Sequence, residues 1–309
     1  MALLLSNLSY LGIAKETTQG TYVAPTDFLP VDKSTLKVDD NPARLRDETL
    51  RGNAALLQGI YDGVKFATVA FSGPFFPDVC GHLLKIIGPD TIAGSNPYTH
   101  TFKLTSAQPS SYSLADFDVV EARGFVGQVL DTLTLKFDIN GFVTYDASFT
   151  GWASAAQSTP SNVQTAVSPL LGWNTSVTVA GGANARVISA EFTFKRNVTP
   201  VFTMANTQNP KTVWAGPLML DGGKIRAIVE DNTELNYFLN NTQNALVFNA
   251  NQSASAALAL TATKGAWTNA LIDRSGDFIA IDLTVDAIYN ATDTGPGAVV
   301  LTNAKSSAY

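Results

Sequence analysis

Alternation of apolar and polar residues is the dominant pattern along this chain. Between residues 133 and 139 every odd position is apolar and every even position is Thr, Lys or Asp. A period of two is typical of a half-buried β-strand. Asn140 and Gly141 follow, a pair suited to the positive φ angles of a two-residue hairpin turn. Apolar residues alternate again on the return at Val143, Tyr145, Ala147 and Phe149. These positions predict a β-hairpin.

The same alternation predicts further strands, whereas helical spacing is confined to two segments. One helix is predicted between Pro77, which suits a first turn, and Gly88. The other is predicted between a cap at Asp231 or Asn232 and its end at Asn240. The fold is therefore predicted to be mainly β. The further strands are predicted at 63–71, 98–104, 190–194, 245–250 and 279–285.

The two predicted helices lie about half a chain apart. Leu83 and Phe238 occupy similar places in them and differ by 238 − 83 = 155 positions. A predicted strand precedes each helix, beginning at Gly63 in the first half and at Gly223 in the second. This order favours an internal duplication. The alternative is two unrelated β domains that each own a helix.

Composition divides the chain into two predicted domains and two extended segments. Residues 153–187 are rich in Ala, Ser, Thr, Asn and Gly, which is typical of a linker or an extended arm. The apolar run 170–173 inside this segment is expected to dock on folded protein. We therefore predict an N-terminal arm at 1–41, a first β domain at 42–154, a linker at 155–187 and a second β domain at 188–309.

The charge of the chain argues against a protein that grips nucleic acid by neutralising its phosphates. The 309 residues include 20 Lys and Arg against 26 Asp and Glu, for a net charge of −6, and contain no basic run. A conduit through which DNA slides gains instead from weak repulsion. The apolar run at residues 2–5 is too short for a signal peptide or a membrane span, so we expect assembly in a cytoplasm.

Candidate catalytic and metal-binding residues are few. His82 falls in the first predicted helix and His100 on the buried side of a predicted strand, and no nucleophile elbow accompanies them. Cys80 is the single cysteine, and its apolar surroundings predict a buried free thiol. The acidic run 273–277 lacks the spacing of a calcium loop and predicts a turn. We therefore predict no enzyme activity, no cofactor and no metal site.

The most specific motif of the sequence lies near its N-terminus. The order Gly-x-x-Lys-Glu-x-x-x-Gly-Thr-x-Val-Ala-Pro-Thr runs from Gly12 to Thr26. It closely resembles the opening of the tail tube proteins, or major tail proteins, of long-tailed bacteriophages. The matching positions are Gly12, Lys15, Glu16, Gly20, Thr21, Val23, Ala24, Pro25 and Thr26.

The resemblance implies a structural protein of the virion tail, assembled in the host cytoplasm. Tube domains of this family are β-barrels or sandwiches with one flanking helix, so two such domains in tandem are expected. The implied function is self-assembly into stacked rings that form the hollow tail tube, the conduit for DNA ejection. A chain with two tube domains is expected to form a trimeric, pseudo-sixfold ring rather than a hexamer. The implied partners are other copies of the chain, the tape-measure protein, other tail proteins and DNA in non-specific transit, with no membrane.

Two parts of the chain are expected to serve the tube. Polar side chains on the alternating strands are candidates for the channel wall. The arm from Ser6 to Val38 is a candidate for bridging stacked rings. The candidate channel-facing residues are Thr132, Thr134, Lys136, Asp138, Asp282, Thr284 and Asp286.

Two other functions are compatible with the sequence. One is a different virion or surface β-sandwich module, such as a decoration protein or an adhesin. The other, which ranks last, is a carboxylate-based hydrolase fused to a β domain. Polymerisation into a hollow tube would distinguish the first interpretation from these, and a deep acidic cleft would favour the hydrolase.

Overall fold

The structure is a computed structural model that describes residues 4–309. Strands account for 51% of it and helices for 6%, which confirms the prediction of a mainly β protein. The described part of the chain has two α-helices, α1 (Gly81–Leu84) and α2 (Thr233–Leu239). The strands are β1 (Tyr10–Lys15), β2 (Asp27–Leu29), β3 (Lys37–Asp47), β4 (Gly59–Pro74), β5 (Asp90–Gly94), β6 (Tyr98–Phe102), β7 (Tyr112–Phe117), β8 (Ala122–Asp138), β9 (Thr144–Gly151), β10 (Ala155–Gln157), β11 (Thr175–Val179), β12 (Gly182–Ala183), β13 (Val187–Lys195), β14 (Thr199–Val201), β15 (Thr212–Trp214), β16 (Met219–Leu220), β17 (Gly223–Ile228), β18 (Gln243–Ser253), β19 (Ala256–Asp273), β20 (Ala280–Ala287) and β21 (Ala298–Asn303).

The strands and helices predicted from periodicity are found close to their expected places. The hairpin predicted around residue 140 is formed by β8 and β9, and the other predicted strands correspond to β4, β6, β13, β18 and β20. Helix α1 is shorter than predicted, with turns on both sides of it. The Asp231 carboxylate accepts a hydrogen bond from Thr233 N at 2.7 Å, so this aspartate satisfies a backbone donor at the start of α2.

The turn between β8 and β9 differs from the prediction. Gly141 N donates to Asp138 O at 3.1 Å, and Asn140 N donates to the Asp138 carboxylate at 2.9 Å. Neither Asn140 nor Gly141 has a positive φ angle. Strand β9 begins at Thr144, so the connection has five residues, 139–143, instead of two. The side chain of Asp138 therefore stabilises the turn that the Asn-Gly pair was expected to specify.

One order of strand pairing occurs in each half of the chain. In the first half, antiparallel neighbours run β2–β1–β7–β8–β9–β4–β3. In the second half, they run β12–β11–β18–β19–β20–β17–β13. Helix α1 follows β4 and helix α2 follows β17, so the helices occupy corresponding places in the two paths.

A β-bulge lies at the same place in both paths. The register of β8 against β9 shifts between Leu130 and Thr132. The register of β19 against β20 shifts between Trp267 and Asn269. A bulge adds one residue to one strand of a pair. The two bulges therefore allow β8 to be aligned with β19 residue by residue. Thr132 on β8 therefore corresponds to Asn269 on β19, and the residues that follow them correspond in order.

Two backbone hydrogen bonds, one in each half, show which residues of β4 and β17 are equivalent. Phe75 N donates to Val143 O just beyond the β4–β9 ladder, and Val229 N donates to Ile279 O just beyond the β17–β20 ladder. Phe75 therefore corresponds to Val229, and the residues that precede them correspond in order.

A single hydrophobic cluster runs through both halves. Where β8 lies beside β13, the ring of Phe248 is 5.6 Å from the ring of Phe137 and 4.9 Å from that of Phe192, measured between centroids. All three side chains are almost completely buried. The two halves therefore share apolar packing at their junction.

Residues 1–3 of the arm predicted at 1–41 lie outside the described residues, and much of the remainder of that segment is paired in the fold rather than extended. Strand β1 pairs with β2 and β7. Leu11 and Ile13 on β1 are fully buried, and so are Phe28 and Leu29 on β2, to within 1%. Deleting the candidate bridging arm, Ser6 to Val38, would therefore also remove part of the core of the subunit.

The predicted linker at 155–187 is only partly a linker. Its first residues form β10, which pairs with β8, and its last third forms β11 and β12, which belong to the second path. In the apolar run, Leu170 is fully buried as expected, but Trp173 is 64% exposed. Strand β11 was not predicted, because its alternation of Thr and Val is short and lies within a Ser- and Asn-rich segment.

Both histidines are buried and bonded to carboxylates. His82 Nε2 lies 2.6 Å from Asp27 Oδ2, which also accepts a hydrogen bond from Lys305 Nζ. His100 Nδ1 lies 2.9 Å from Asp90 Oδ2. His82 is 5% exposed, and its burial lowers the pKa of the imidazole by more than the hydrogen bond to Asp27 raises it, with Lys305 acting in the same direction as burial. His82 is therefore neutral in the folded subunit at pH 7.

We expect the subunit to lose stability as the pH falls below about 6.5, the ordinary pKa of histidine. The unfolded chain then binds a proton at His82 that the folded chain excludes, so the free energy of unfolding declines by up to about 1.4 kcal/mol per pH unit. Urea unfolding at pH 7.5, 6.5 and 5.5 measures this slope. The variant His82→Gln should show a shallower slope between these values. An unchanged slope in the variant would assign the acid sensitivity to other groups.

Candidate assembly surfaces

One uninterrupted antiparallel sheet joins the two halves. Its strand order is β3–β4–β9–β8–β13–β17–β20–β19. The joint is the pairing of β8 with β13, which runs from Asp138 opposite Ser189 to Thr132 opposite Lys195. Because directly opposed residues point to the same side of a sheet, this joint gives both halves common faces.

One face of this sheet is apolar and packs inward, and the other is polar. The buried face includes Leu133, Leu135 and Phe192. Helix α2 lies on that side, since its Tyr237 ring stacks on Trp267 with 5.8 Å between centroids. We call the opposite side of this sheet the polar face. Side chains that follow one row across it are Lys136, Glu191, Lys224, Thr284 and Asn269.

The structure brings all seven candidate channel-facing residues onto the polar face. Lys136 and Thr284 share one row across the sheet, and the other five follow by alternation along β8 and β20. Thr134 Oγ1 lies 2.9 Å from Thr193 Oγ1 on β13. The residues proposed from the first half and those from the second are therefore neighbours on one surface.

Basic and acidic side chains of the polar face form ion pairs across its strands. They line an open concavity of about 680 Å³ that spans β8 to β19. Because these pairs are partly solvated, each adds little to stability, but each cancels local charge. These pairs neutralise part of the charge of the polar face, while the carboxylates of Asp138 and Asp286 accept hydrogen bonds from backbone N–H groups. The ion pairs are Lys136–Asp146 (2.5 Å), Lys224–Glu191 (3.7 Å), Arg226–Asp282 (2.8 Å) and Arg226–Asp273 (2.6 Å).

Strands β3 and β4 extend beyond the sheet as a projecting hairpin, residues 44–62. The last residue of β4 that pairs with β9 is Ala67. Nearer the tip, Lys65 N donates to Gln208 O at 2.9 Å, and the strand that pairs with β4 within residues 4–309 is β3. The hairpin carries grouped apolar side chains that the subunit does not cover, and Leu50 is fully exposed. Such a group is typical of an interface with another protein surface. The exposed apolar residues are Leu45, Leu50, Leu56, Leu57, Ile60 and Tyr61.

The corresponding segment of the second half does not project but lies against the first half. Between β13 and β17, residues 196–222 pack against the first half, with Val213 buried. The guanidinium of Arg196 donates to the carbonyl oxygens of Ile86 and Ile87 at 2.8 and 2.9 Å. The amide of Gln19 donates to Val213 O at 3.1 Å. The second half therefore uses this segment for internal packing, whereas the first half leaves its hairpin exposed.

The N-terminal motif forms a tightly packed corner inside the subunit. Glu16 is 6% exposed, and its carboxylate accepts hydrogen bonds from Gly20 N, Gly127 N, Ser111 Oγ and Ser113 Oγ at 2.8 to 2.9 Å. The four donors satisfy the buried charge without a cation. Glu16 thereby joins the loop after β1 to β7 and β8.

Two glycines of the motif allow close approach. A Cβ on Gly12 would lie 2.6 Å from the Cβ of Pro25, and one on Gly20, at φ +86°, would overlap the Trp152 ring. The motif residues Lys15, Thr21, Ala24 and Thr26 lie at the surface, and Val23 N donates to Ser113 Oγ at 3.0 Å. The motif thus stabilises the subunit rather than forming a separate site.

The sequence did not reveal the projecting hairpin or strand β3. The leucines of the projecting hairpin are interspersed with Arg, Asp and Glu and do not recur with a period of two. The signal that was present is the grouping of leucines at 45, 50, 56 and 57 within an otherwise polar stretch. Exposed leucines in such a stretch indicate an interface only once their exposure is known.

Among residues 4–309, no group of three or more His, Cys, Asp or Glu side chains is arranged to hold a metal ion. None of the helices in that range has the length and apolar character needed to cross a membrane. The model of a family described as phage tail tube protein matches residues 6–304. No curated protein matches the chain.

Proposed function

The chain belongs to the phage tail tube protein family, and from this premise we propose that it polymerises into stacked rings that enclose the channel for DNA ejection. As a member of the family it is a structural protein of the bacteriophage virion tail, and the family is not catalytic. The observation that carries the proposal is the sheet that runs through both halves with one polar face. Assembly would take place in the host cytoplasm before the tail is complete.

Each half supplies one tube domain in this proposal. The support is the repeated pairing path and the equivalent bulges of β8 and β19. The domains we predicted at 42–154 and 188–309 are extended by β1 and β2 in the first half and by β11 and β12 in the second. Three copies would then supply six domains, giving a trimeric, pseudo-sixfold ring.

The polar face is proposed as the channel wall. Its Thr, Ser and paired charged side chains are hydrated, and opposed charges at 2.5 to 3.7 Å cancel one another. DNA is a dense polyanion, so a wall rich in unpaired Lys and Arg would bind it and slow its passage. A wall with neutralised charges lets DNA slide, and it also accommodates the tape-measure protein before ejection.

The projecting hairpin is proposed to join one ring to the next. It extends past the sheet, and the side chains of Leu45, Leu50 and Leu56 on it are largely exposed in the subunit. Burial of these side chains on a neighbouring ring would stabilise stacking by the hydrophobic effect.

Electron microscopy of the purified protein tests the proposal. At increasing protein concentration, or on addition of the purified tail initiator complex, we expect hollow tubes made of stacked rings. Class averages of end views should show three copies with six similar lobes. Particles that stay monomeric under both conditions would contradict the proposed polymerisation.

A further inference from the structure

The eight-stranded sheet has two free edges. Within residues 4–309, β3 pairs with β4 alone, so its other side is open. At the far end of the sheet, residues 269–273 of β19 pair with β20 alone. An open strand edge presents unpaired backbone donors and acceptors, and proteins either protect such an edge or use it for pairing.

The joint between the halves shows how two such edges fit together. Strand β13 holds the place in the second half that β3 holds in the first. Lys37 pairs with Ala70 and Glu191 pairs with Lys224, and Ala70 and Lys224 are equivalent residues of β4 and β17. Strand β19 corresponds to β8 through the bulge that both contain. The β8–β13 joint is therefore an internal example of a β19–β3 joint.

We propose that residues 269–273 of β19 in one copy pair antiparallel with β3 of a second copy, in the register of the β8–β13 joint. The inference rests on the proposed ring assembly and adds the strands and the register that join the copies. In the internal joint Glu191 is opposite Lys136 and Thr193 is opposite Thr134. The equivalent pairs between copies are Lys37 with Asp273, Val38 with Ile272, Asp39 with Leu271, Asp40 with Ala270, and Asn41 with Asn269.

Two of the five pairs in this register, Lys37 with Asp273 and Val38 with Ile272, bring complementary side chains together, whereas Asp39 and Asp40 lie opposite Leu271 and Ala270. Lys37 and Asp273 have opposite charges, as do Glu191 and Lys136 at the internal joint. Val38 is 37% exposed on the free edge, and its partner Ile272 is a partly buried apolar residue. In the internal joint the equivalent pair, Phe192 and Leu135, is buried. A shift by one residue would turn Val38 to the wrong face of the partner strand.

The free edge of β3 and that of β19 lie on opposite ends of one subunit, so the contact is head to tail. Such a contact repeats until it closes a ring or propagates as a helix. In a closed ring every edge of the sheet is paired, which removes the aggregation hazard of open edges.

Disulfide trapping in assembled tubes tests the strands and the register. The in-register variant is Asp39→Cys with Leu271→Cys, and a second is Asn41→Cys with Asn269→Cys. Opposed Cα atoms in antiparallel strands are about 4.5–5.5 Å apart, within the range of a disulfide. The control is Asp39→Cys with Asn269→Cys, whose Cα atoms would be about 7–8 Å apart, outside that range. The single native cysteine, Cys80, is buried.

Mild oxidation of tubes, quenching with iodoacetamide and denaturing electrophoresis give the result. Both in-register variants are expected to form covalent oligomers up to the size of one ring, with a yield about tenfold above the control. If a double variant does not assemble, tubes grown from a mixture of Asp39→Cys and Leu271→Cys copies give the same readout as a covalent dimer.

Three results have distinct meanings. Equal or higher cross-linking in the control would overturn the register. Normal tubes that give no cross-link with either in-register pair would overturn the β19–β3 joint and leave the proposed function in place. Failure of the wild-type protein to form tubes under any condition would instead contradict the proposed function.

Discussion

Replacing Leu45, Leu50 and Leu56 together with serine is expected to abolish tube formation and leave the subunit folded. These side chains are 58%, 102% and 71% exposed on the projecting hairpin, so the isolated subunit gains little from them. Surface substitutions of this kind change the free energy of unfolding by about 0.5 kcal/mol or less. If each leucine is buried between rings, its loss costs about 2 kcal/mol, and three raise the critical concentration by at least about 10³-fold.

Two measurements separate the assembly effect from folding. Urea unfolding of monomers compares subunit stability, and light scattering against concentration gives the critical concentration for tubes. Leu239→Ser is the matched control, because Leu239 is 63% exposed on α2, away from the hairpin. The control should polymerise like the wild type. Polymerisation of the triple variant at the wild-type concentration would show that the hairpin does not join rings.

Replacing Glu16 with alanine is expected to destabilise the subunit by about 4 kcal/mol, a large fraction of the stability of an ordinary domain. The substitution removes the acceptor of four hydrogen bonds, including those of the buried N–H group of Gly127 and the partly buried N–H group of Gly20. The two serine hydroxyls lose their acceptor as well. Each unsatisfied buried donor costs about 1–3 kcal/mol.

Chemical denaturation of the monomer measures the effect. Glu16→Gln keeps one carbonyl oxygen and should lose about half as much stability as Glu16→Ala. Glu48→Ala is the control, because the Glu48 carboxylate is exposed and pairs only with Arg46. A stability of Glu16→Ala equal to that of the control would mean that the motif has no structural role in the subunit. Loss of tubes in this variant is expected as a consequence of unfolding.

The N-terminal motif predicted the family of the protein correctly but did not predict the structure of the segment that carries it. The motif identified the family, which the match over residues 6–304 confirms. Its position near the start of the chain and its Gly, Thr and Pro content led us to expect an extended arm. Burial of Leu11 and Ile13 and the bonds of Glu16 place the segment inside the fold instead. The partners of Glu16, at positions 111, 113 and 127, are far away along the chain, so no local pattern marks them.

Features that depend on local periodicity could be derived from the amino-acid sequence. Alternation with a period of two identified the strands around residues 133–139 and 279–285 and separated their polar from their apolar side chains. Helical spacing located α1 and α2, and the surroundings of Cys80 predicted the buried thiol that the structure shows. A side chain's face follows from its own strand, so it can be derived without knowing the neighbouring strand.

Which strands are neighbours could be learned from the folded structure alone. The joint of β8 with β13, the two free edges and the projection of residues 44–62 depend on pairings between distant parts of the chain. Alternation does not specify a partner, because backbone hydrogen bonds are the same for every strand and the register is set by packing across the sheet. The polar face was therefore derivable strand by strand, but its continuity through both halves required the fold.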